Sequence, residues 1–173
     1  LSSDGDVDLD AVNASAIDAT IISASVSLAI GGTVGVGASI GAALATNLIG
    51  FTEGGARPGA EVQAYIENSS ILDADAVTLD AMSAMLIDAT VFAGAVAVAG
   101  GQVGVALSGA GASSKNRMAA DVRAYIAGDG GSGIRAGSLA IHATDISLIY
   151  ADTGAAAVSA SFGVASFSAS VGV

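Results

Sequence analysis

The chain has no cysteine and no tryptophan, one proline, and only five lysines and arginines in 173 residues. Each shortage removes a class of function. Without cysteine there is no disulfide framework, no thiolate zinc site and no thiol nucleophile, while the compartment stays open. Five basic residues against 16 Asp and Glu give a net charge of −11. Nucleic acid is thereby excluded as a partner, because binding phosphates takes clustered Lys and Arg that displace counterions. Four Phe and three Tyr are too few for the aromatic-lined groove of a sugar-binding or glycan-processing β-helix. The opening Leu1-Ser2-Ser3-Asp4 lacks the basic and apolar regions of a signal peptide. Either a signal was removed or the chain is an internal piece.

What is abundant is small and apolar: 53% of the residues are hydrophobic, 24 are Gly, and only 12% are charged against a usual quarter. Ala, Gly, Ser and Val let backbones approach closely but bury little area each. Stability is therefore expected from regular stacking rather than from one large aromatic core.

The stacking unit is visible as a repeat. Val7-Asp8-Leu9-Asp10-Ala11 matches Val77-Thr78-Leu79-Asp80-Ala81, and Ile17-Asp18-Ala19-Thr20 matches Ile87-Asp88-Ala89-Thr90. A third copy starts at Leu139-Ala140-Ile141-His142-Ala143, and Ala64-Tyr65-Ile66 returns as Ala124-Tyr125-Ile126. Two landmarks in one order define a single repeat domain over 1–173, with approximate copies 1–70, 71–133 and 134–173. Leu1 aligns with Ile71, and the third copy stops before its own Ala-Tyr-Ile strand. The last copy is thus expected to be incomplete, to be continued by a longer array or by a neighbouring chain set head to tail.

Within each copy a charge-free stretch (19–52, 89–114, 153–173) alternates with period 2, the signal of a β-strand. Ile22, Val26, Leu28 and Ile30 interleave with Ser23, Ser25, Ser27 and Ala29. Gly31-Gly32 and Gly100-Gly101 break the run, so each stretch reads as strand, tight bend, strand. More polar strands are expected at Asp6–Ala11 and Asp75–Ala81, with loops at 53–58 and 128–133. The apolar halves are expected to stack into a continuous core and the charged halves to face water.

The Ala-Tyr-Ile strands, the Val77–Ala81 piece and the blocks such as Ala95-Val96-Ala97-Val98-Ala99-Gly100-Gly101 together resemble repeats of giant bacterial surface exoproteins, the filamentous-haemagglutinin-like and leukotoxin-type adhesins. The resemblance covers nearly the whole chain. It implies an all-β fold, a parallel β-solenoid, in an extracellular cell-surface array that serves adhesion or matrix formation. Its partners would be further copies of itself and host or cell-surface ligands. It supplies no catalytic residues.

Candidate sites are few. Asp4, Asp6, Asp8 and Asp10 would share one face of a strand, with Asp73 and Asp75 at related positions in the next copy, and stacked carboxylates can hold Ca²⁺. The positions between them change from Ser3 and Gly5 to Ala74 and Ala76, and no calcium-binding nonapeptide appears, so a solvated acidic edge is the expectation. His142, the only histidine, stands where Asp10 and Asp80 stand in the other copies and lacks a partner for acid–base chemistry. No Gly-x-Ser-x-Gly elbow exists. Gly128-Asp129-Gly130-Gly131-Ser132-Gly133 fits Gly-x-Gly-x-x-Gly, yet Ile134–Ser138 reads as a strand where a dinucleotide site needs a helix. Lys115, Arg117 and Arg123 form the one basic cluster, expected to pair with Asp121 or with a neighbouring subunit. No residue is assigned to catalysis, to a cofactor or to a metal. The expectation is a non-enzymatic, secreted or cell-surface β-repeat protein that self-assembles or lies in a long array. The alternative is a membrane-active or pore-forming segment, since 19–52 could span a bilayer and Gly37 with Gly41 forms Gly-x-x-x-Gly. The alternation, the serines and the central glycine pair argue against that helix.

Overall fold

A computed structural model describes residues 4–173. Leu1, Ser2 and Ser3, on which the frame of the first copy and the leader question turned, lie outside the described residues. Among the described residues there are eleven strands and no helix. In chain order they are β1 (Val7–Asn13), β2 (Ala16–Ile30), β3 (Val34–Ile49), β4 (Ala60–Glu67), β5 (Ile71–Ser83), β6 (Leu86–Gly100), β7 (Val103–Met118), β8 (Ala120–Ala127), β9 (Ile134–Asp145), β10 (Leu148–Phe162) and β11 (Ala165–Gly172).

Equivalent strands of successive copies pair with one another. The sheets are β1-β5-β9, β2-β6-β10, β3-β7-β11 and β4-β8. Leu9 lies beside Leu79 and Leu79 beside Ile141, all in parallel, and Tyr65 lies beside Tyr125. Chain turns that each give one strand to each of several parallel sheets make a parallel β-solenoid. Its turns are β1 to β4, β5 to β8 and β9 to β11. Most of the length difference is taken up outside the strands, with one residue absorbed by an irregularity in β5 between Ile71 and Ala74. Residues 50–59 separate β3 from β4, whereas Ala119 alone separates β7 from β8.

The chain divides into two compact units. The first holds residues 4–16, 48–86 and 117–149, hence β1, β4, β5, β8 and β9. Its strands alternate as their sequences suggest. Val77, Leu79 and Ala81 of β5 point inward and are buried, while Thr78, Asp80 and Met82 point outward. They pack with Val62, Ala64 and Ile66 of β4, and Val7, Leu9, Val122 and Ile126 complete the cluster. Burying each Leu, Ile or Val side chain contributes about 1.5–3 kcal/mol. This is an ordinary apolar core beneath a polar outer face.

The second unit, residues 17–47, 87–116 and 150–173, reverses the expected arrangement. Most large side chains of its charge-free stretches point outward, Val91 of β6 being fully buried. Val26, Ile30 and Ile40 are 77%, 80% and 81% exposed, and the inward face carries Ala43, Ala45, Ala93, Ala95, Ala97, Ala99 and Ala106 with Ser39 and Ser108. The bends at Gly31-Gly32 and Gly100-Gly101 are present, but β2 and β3 do not pair as a hairpin. They belong to different sheets, which lie face to face. The spacing of those sheets explains the reversal. A Cβ placed on Gly35 would come 2.3 Å from the Gly100 carbonyl oxygen, one on Gly37 2.8 Å from that of Val98, and one on Gly41 2.2 Å from that of Gly94. Backbone meets backbone there, closer than the about 10 Å between ordinary stacked sheets. Beside these glycines only hydrogen, methyl and hydroxyl groups fit, so the larger residues of the alternation point outward there, while Val91 and Ile21 pack inward earlier along their strands.

Polar groups in this thin interior are mostly paired, either across it, as Ser39 is, or along one sheet, as Asn47 and Asn116 are. Ser39 Oγ lies 2.9 Å from the Ser25 carbonyl oxygen, to which it donates. Asn47 Nδ2 donates to Asn116 Oδ1 at 2.7 Å, and Asn116 Nδ2 donates to Ser114 Oγ. Among the described residues, Ser108 Oγ is the one buried side-chain atom without a hydrogen-bond partner. Leaving a buried hydroxyl unpaired costs about 1–3 kcal/mol. Ser108→Ala is therefore expected to raise the thermal midpoint by a few degrees, whereas Ser39→Ala, which breaks a made bond, is expected to lower it. Thermal melts followed by circular dichroism check both.

Candidate assembly surfaces

The outer face of the β1-β5-β9 sheet collects the acidic candidates. Asp8 and Asp10 both point outward from β1, and Asp4 and Asp6 are exposed just before it. Parallel register sets Asp10 beside Asp80 and Asp80 beside His142, one row across three strands. Neighbouring strands are about 4.8 Å apart, at which directly opposed like charges repel. Asp73 leaves the pattern: it has φ +62° at the irregularity where Ile71 pairs with Ile134 and Ala74 with Ala136. Among the described residues no three His, Asp or Glu side chains converge closely enough to hold a metal ion. Asp10 and His142 stand exposed at the ends of the row, and Asp80 is half-buried between them.

The basic residues do not form one site. Arg123 donates from Nε and Nη2 to the two carboxylate oxygens of Asp121, at 2.7 and 2.5 Å, and Arg117 lies 5.1 Å from the centre of the Phe51 ring. Lys115 is exposed on the outer side of β7. The glycine-rich loop leads straight into β9. Asp129 Oδ1 accepts from the Gly131 N–H, and the Ser132 N–H donates to Ser70 Oγ. With no helix after it, the loop presents no helix N-terminus to a pyrophosphate.

The Ala-Tyr-Ile strands divide their residues between core and surface. Ala64 and Ile66 are buried, while Tyr65 faces out and stacks on Tyr125 with centroids 5.3 Å apart and planes 7° from parallel. The same outward row of rings would extend to any further coil.

At its two edges the first unit leaves its core open. A cavity of about 740 Å³ is lined by Val7 and Leu9 of β1, Tyr65 and Ile66 of β4, and Ile71 at the start of β5. Another of about 540 Å³, on the second and third turns, is lined by Ile126, Ile134, Leu139 and Ile141. Of the strands bordering these openings, β1, β4, β8 and β9 are edge strands, and such edges template pairing with more chain.

The second unit adds a surface that hydropathy alone did not reveal. The sheet β2-β6-β10 presents Ile22, Val26, Leu28 and Ile30 to solvent, and the sheet β3-β7-β11 presents Val34, Val36, Ile40 and Leu44. The available signal was glycine. Gly35, Gly37 and Gly41 share the parity of Ala43 and Ala45, and glycine in a strand marks close backbone approach. No family model, no curated protein and no solved structure matches this chain.

Proposed function

We propose that this chain is a non-enzymatic structural β-repeat segment of a secreted or cell-surface protein, which stacks coil on coil with more of its kind into a filament or long array. The observation that supports this best is the pair of open core edges, where Leu9 and Val7 on one side and Leu139 and Ile141 on the other line cavities. A further coil in the same register would fill them, continue the tyrosine row and pair the edge strands. The acidic row and the net charge of −11 keep such an array soluble while its partners bind the exposed faces. The resemblance to giant surface adhesins agrees with this role.

The test is the state of the purified protein. Electron microscopy and sedimentation over a concentration series are expected to show elongated assemblies that lengthen with concentration. A stable monomer at high concentration would overturn the proposal.

A further inference from the structure

We propose that the two outer faces of the second unit are docking surfaces for the same unit of other copies of this chain, which pack on them sheet against sheet. The inference rests on the self-assembly reading and adds a lateral direction to it. It begins with the reversal described above. Most of the residues that would fill an ordinary β-sandwich core stand outside: Ile22, Val26, Leu28 and Ile30 on one face, Ile40 and Leu44 on the other. Along Gly35, Gly37 and Gly41 the interior cannot take them, because a Cβ there would already meet the backbone of β6. Each outer face is half of a sandwich core whose other half is missing from the molecule. A contiguous apolar surface of this kind marks an interaction site.

Four observations favour a second copy as the occupant. The stretches 19–52, 89–114 and 153–173 contain no charged residue. Two such faces can meet without burying a charge or opposing like charges, despite the acidity of the whole chain. Both faces also have relief. On one, a cavity of about 500 Å³ has Gly100 among its lining with Leu28, Ile30 and Phe162 around it. On the other, a cavity of about 400 Å³ has Gly109 with Ile40, Leu107 and Val171 around it. Side chains standing out from one face have notches to enter on another.

Area is the third consideration. A charge-free run such as 89–100 spans about 40 Å at about 3.3 Å per residue, and three strands are about 14 Å wide. One face then offers roughly 550 Å², and two facing copies bury about 1,100 Å², just above the about 1,000 Å² that a biological interface must clear. Each added coil enlarges it. The fourth consideration separates a second copy from lipid. The sheets end in edge strands β2, β3, β10 and β11. Unpaired backbone groups along an edge cost several kcal/mol each in hydrocarbon, so open sheets do not enter bilayers. Sheet-on-sheet packing leaves those edges in water or beside the next coil.

The experiment uses two variants of the whole chain. Val26→Lys with Ile40→Lys places a charge on each face at exposed positions, where folding is insensitive. Ser168→Pro blocks the β11 edge instead. Ala165 and Val173 donate their N–H groups toward β7, so alternation turns the Ser168 N–H away from it. Wild-type assemblies are expected to be several solenoids wide. The double lysine variant should keep its β spectrum while mass per length falls at least two-fold, and Ser168→Pro should shorten the assemblies without narrowing them. Lateral pairs that dissolve in the lysine variant, without any filament in the wild type, would support this inference and sink the coil-stacking proposal. An unchanged mass per length in the lysine variant would overturn the inference, as would wild-type filaments one solenoid wide. So would flotation of the wild type as monomers with phosphatidylcholine vesicles, which would assign the faces to lipid.

Discussion

Leu79→Ala is expected to lower the stability of the protein by about 3 kcal/mol, within the 2–5 kcal/mol of buried Leu→Ala changes. Leu79 is fully buried in the cluster formed with Val62, Ala64, Ile66 and Val77. It sits in the middle of three strands, with Leu9 on one side and Ile141 on the other. Removing three carbons there forfeits the transfer free energy and leaves a cavity that flanking strands held by backbone ladders cannot close. The instructive comparison is Leu28→Ala, the same chemistry in the second unit, where the side chain is 67% exposed. In dilute, unassembled protein this change is expected to stay within about 0.5 kcal/mol. Thermal unfolding of the two variants should therefore separate by several degrees. Equal losses would mean that the interior and exterior of the second unit have been assigned the wrong way round.

Gly41→Val tests the same assignment from inside. Overpacking a core by added methyl groups costs typically about 1–3 kcal/mol and occasionally more. The upper end is expected here, because the first added carbon would lie 2.2 Å from the carbonyl oxygen of Gly94 and 3.0 Å from its carbon. Backbone cannot swing aside as a side-chain tip does. Separating the two sheets would also stretch the Ser39–Ser25 bond across the layer. Gly41→Ala should show most of this loss. Ala42→Val, one residue along but on the exposed face, is expected to be nearly neutral. A melting series of the three variants checks the claim, and a Gly41→Val protein as stable as wild type would remove the thin interior from the account.

Much of the fold was legible in the residues. The offset between Val7–Ala11 and Val77–Ala81 is the register of β1 on β5, and the recurring Ala-Tyr-Ile pieces are the paired strands β4 and β8. The exchange of Asp80 for His142 in the third copy is a cross-strand neighbour relation. Repetition gives this directly, since parallel in-register stacking sets equivalent residues side by side. The polarity of the second unit was not legible from hydropathy. Period-2 alternation shows that a strand has two faces, but choosing the buried one takes a contrast between apolar and charged residues. In 19–52 both faces are free of charge, so the contrast is absent and size decides instead. The Gly31-Gly32 bend was likewise visible, while its product was not. A tight turn between two apolar strands suits a hairpin, yet here each strand already has partners in the neighbouring coils and turns its side chains, not its amides, toward the other.

One corner of the first unit has an evolutionary consequence. After β3 the first turn makes the excursion 50–59, whereas the second turn passes the same corner with Ala119 alone. Ala119 donates to the Ile49 carbonyl and accepts from the Ala60 N–H, bridging the point where the excursion leaves and returns. The excursion is pinched shut by the Gly59 N–H donating to the Gly50 oxygen, with both glycines at positive φ. Strand register is thus indifferent to what lies between them, and lengthening a closed loop adds little entropy penalty. A lineage can rewrite, enlarge or erase this segment while the ladder beneath it is inherited unchanged, which makes the corner a natural place for surface novelty to arise.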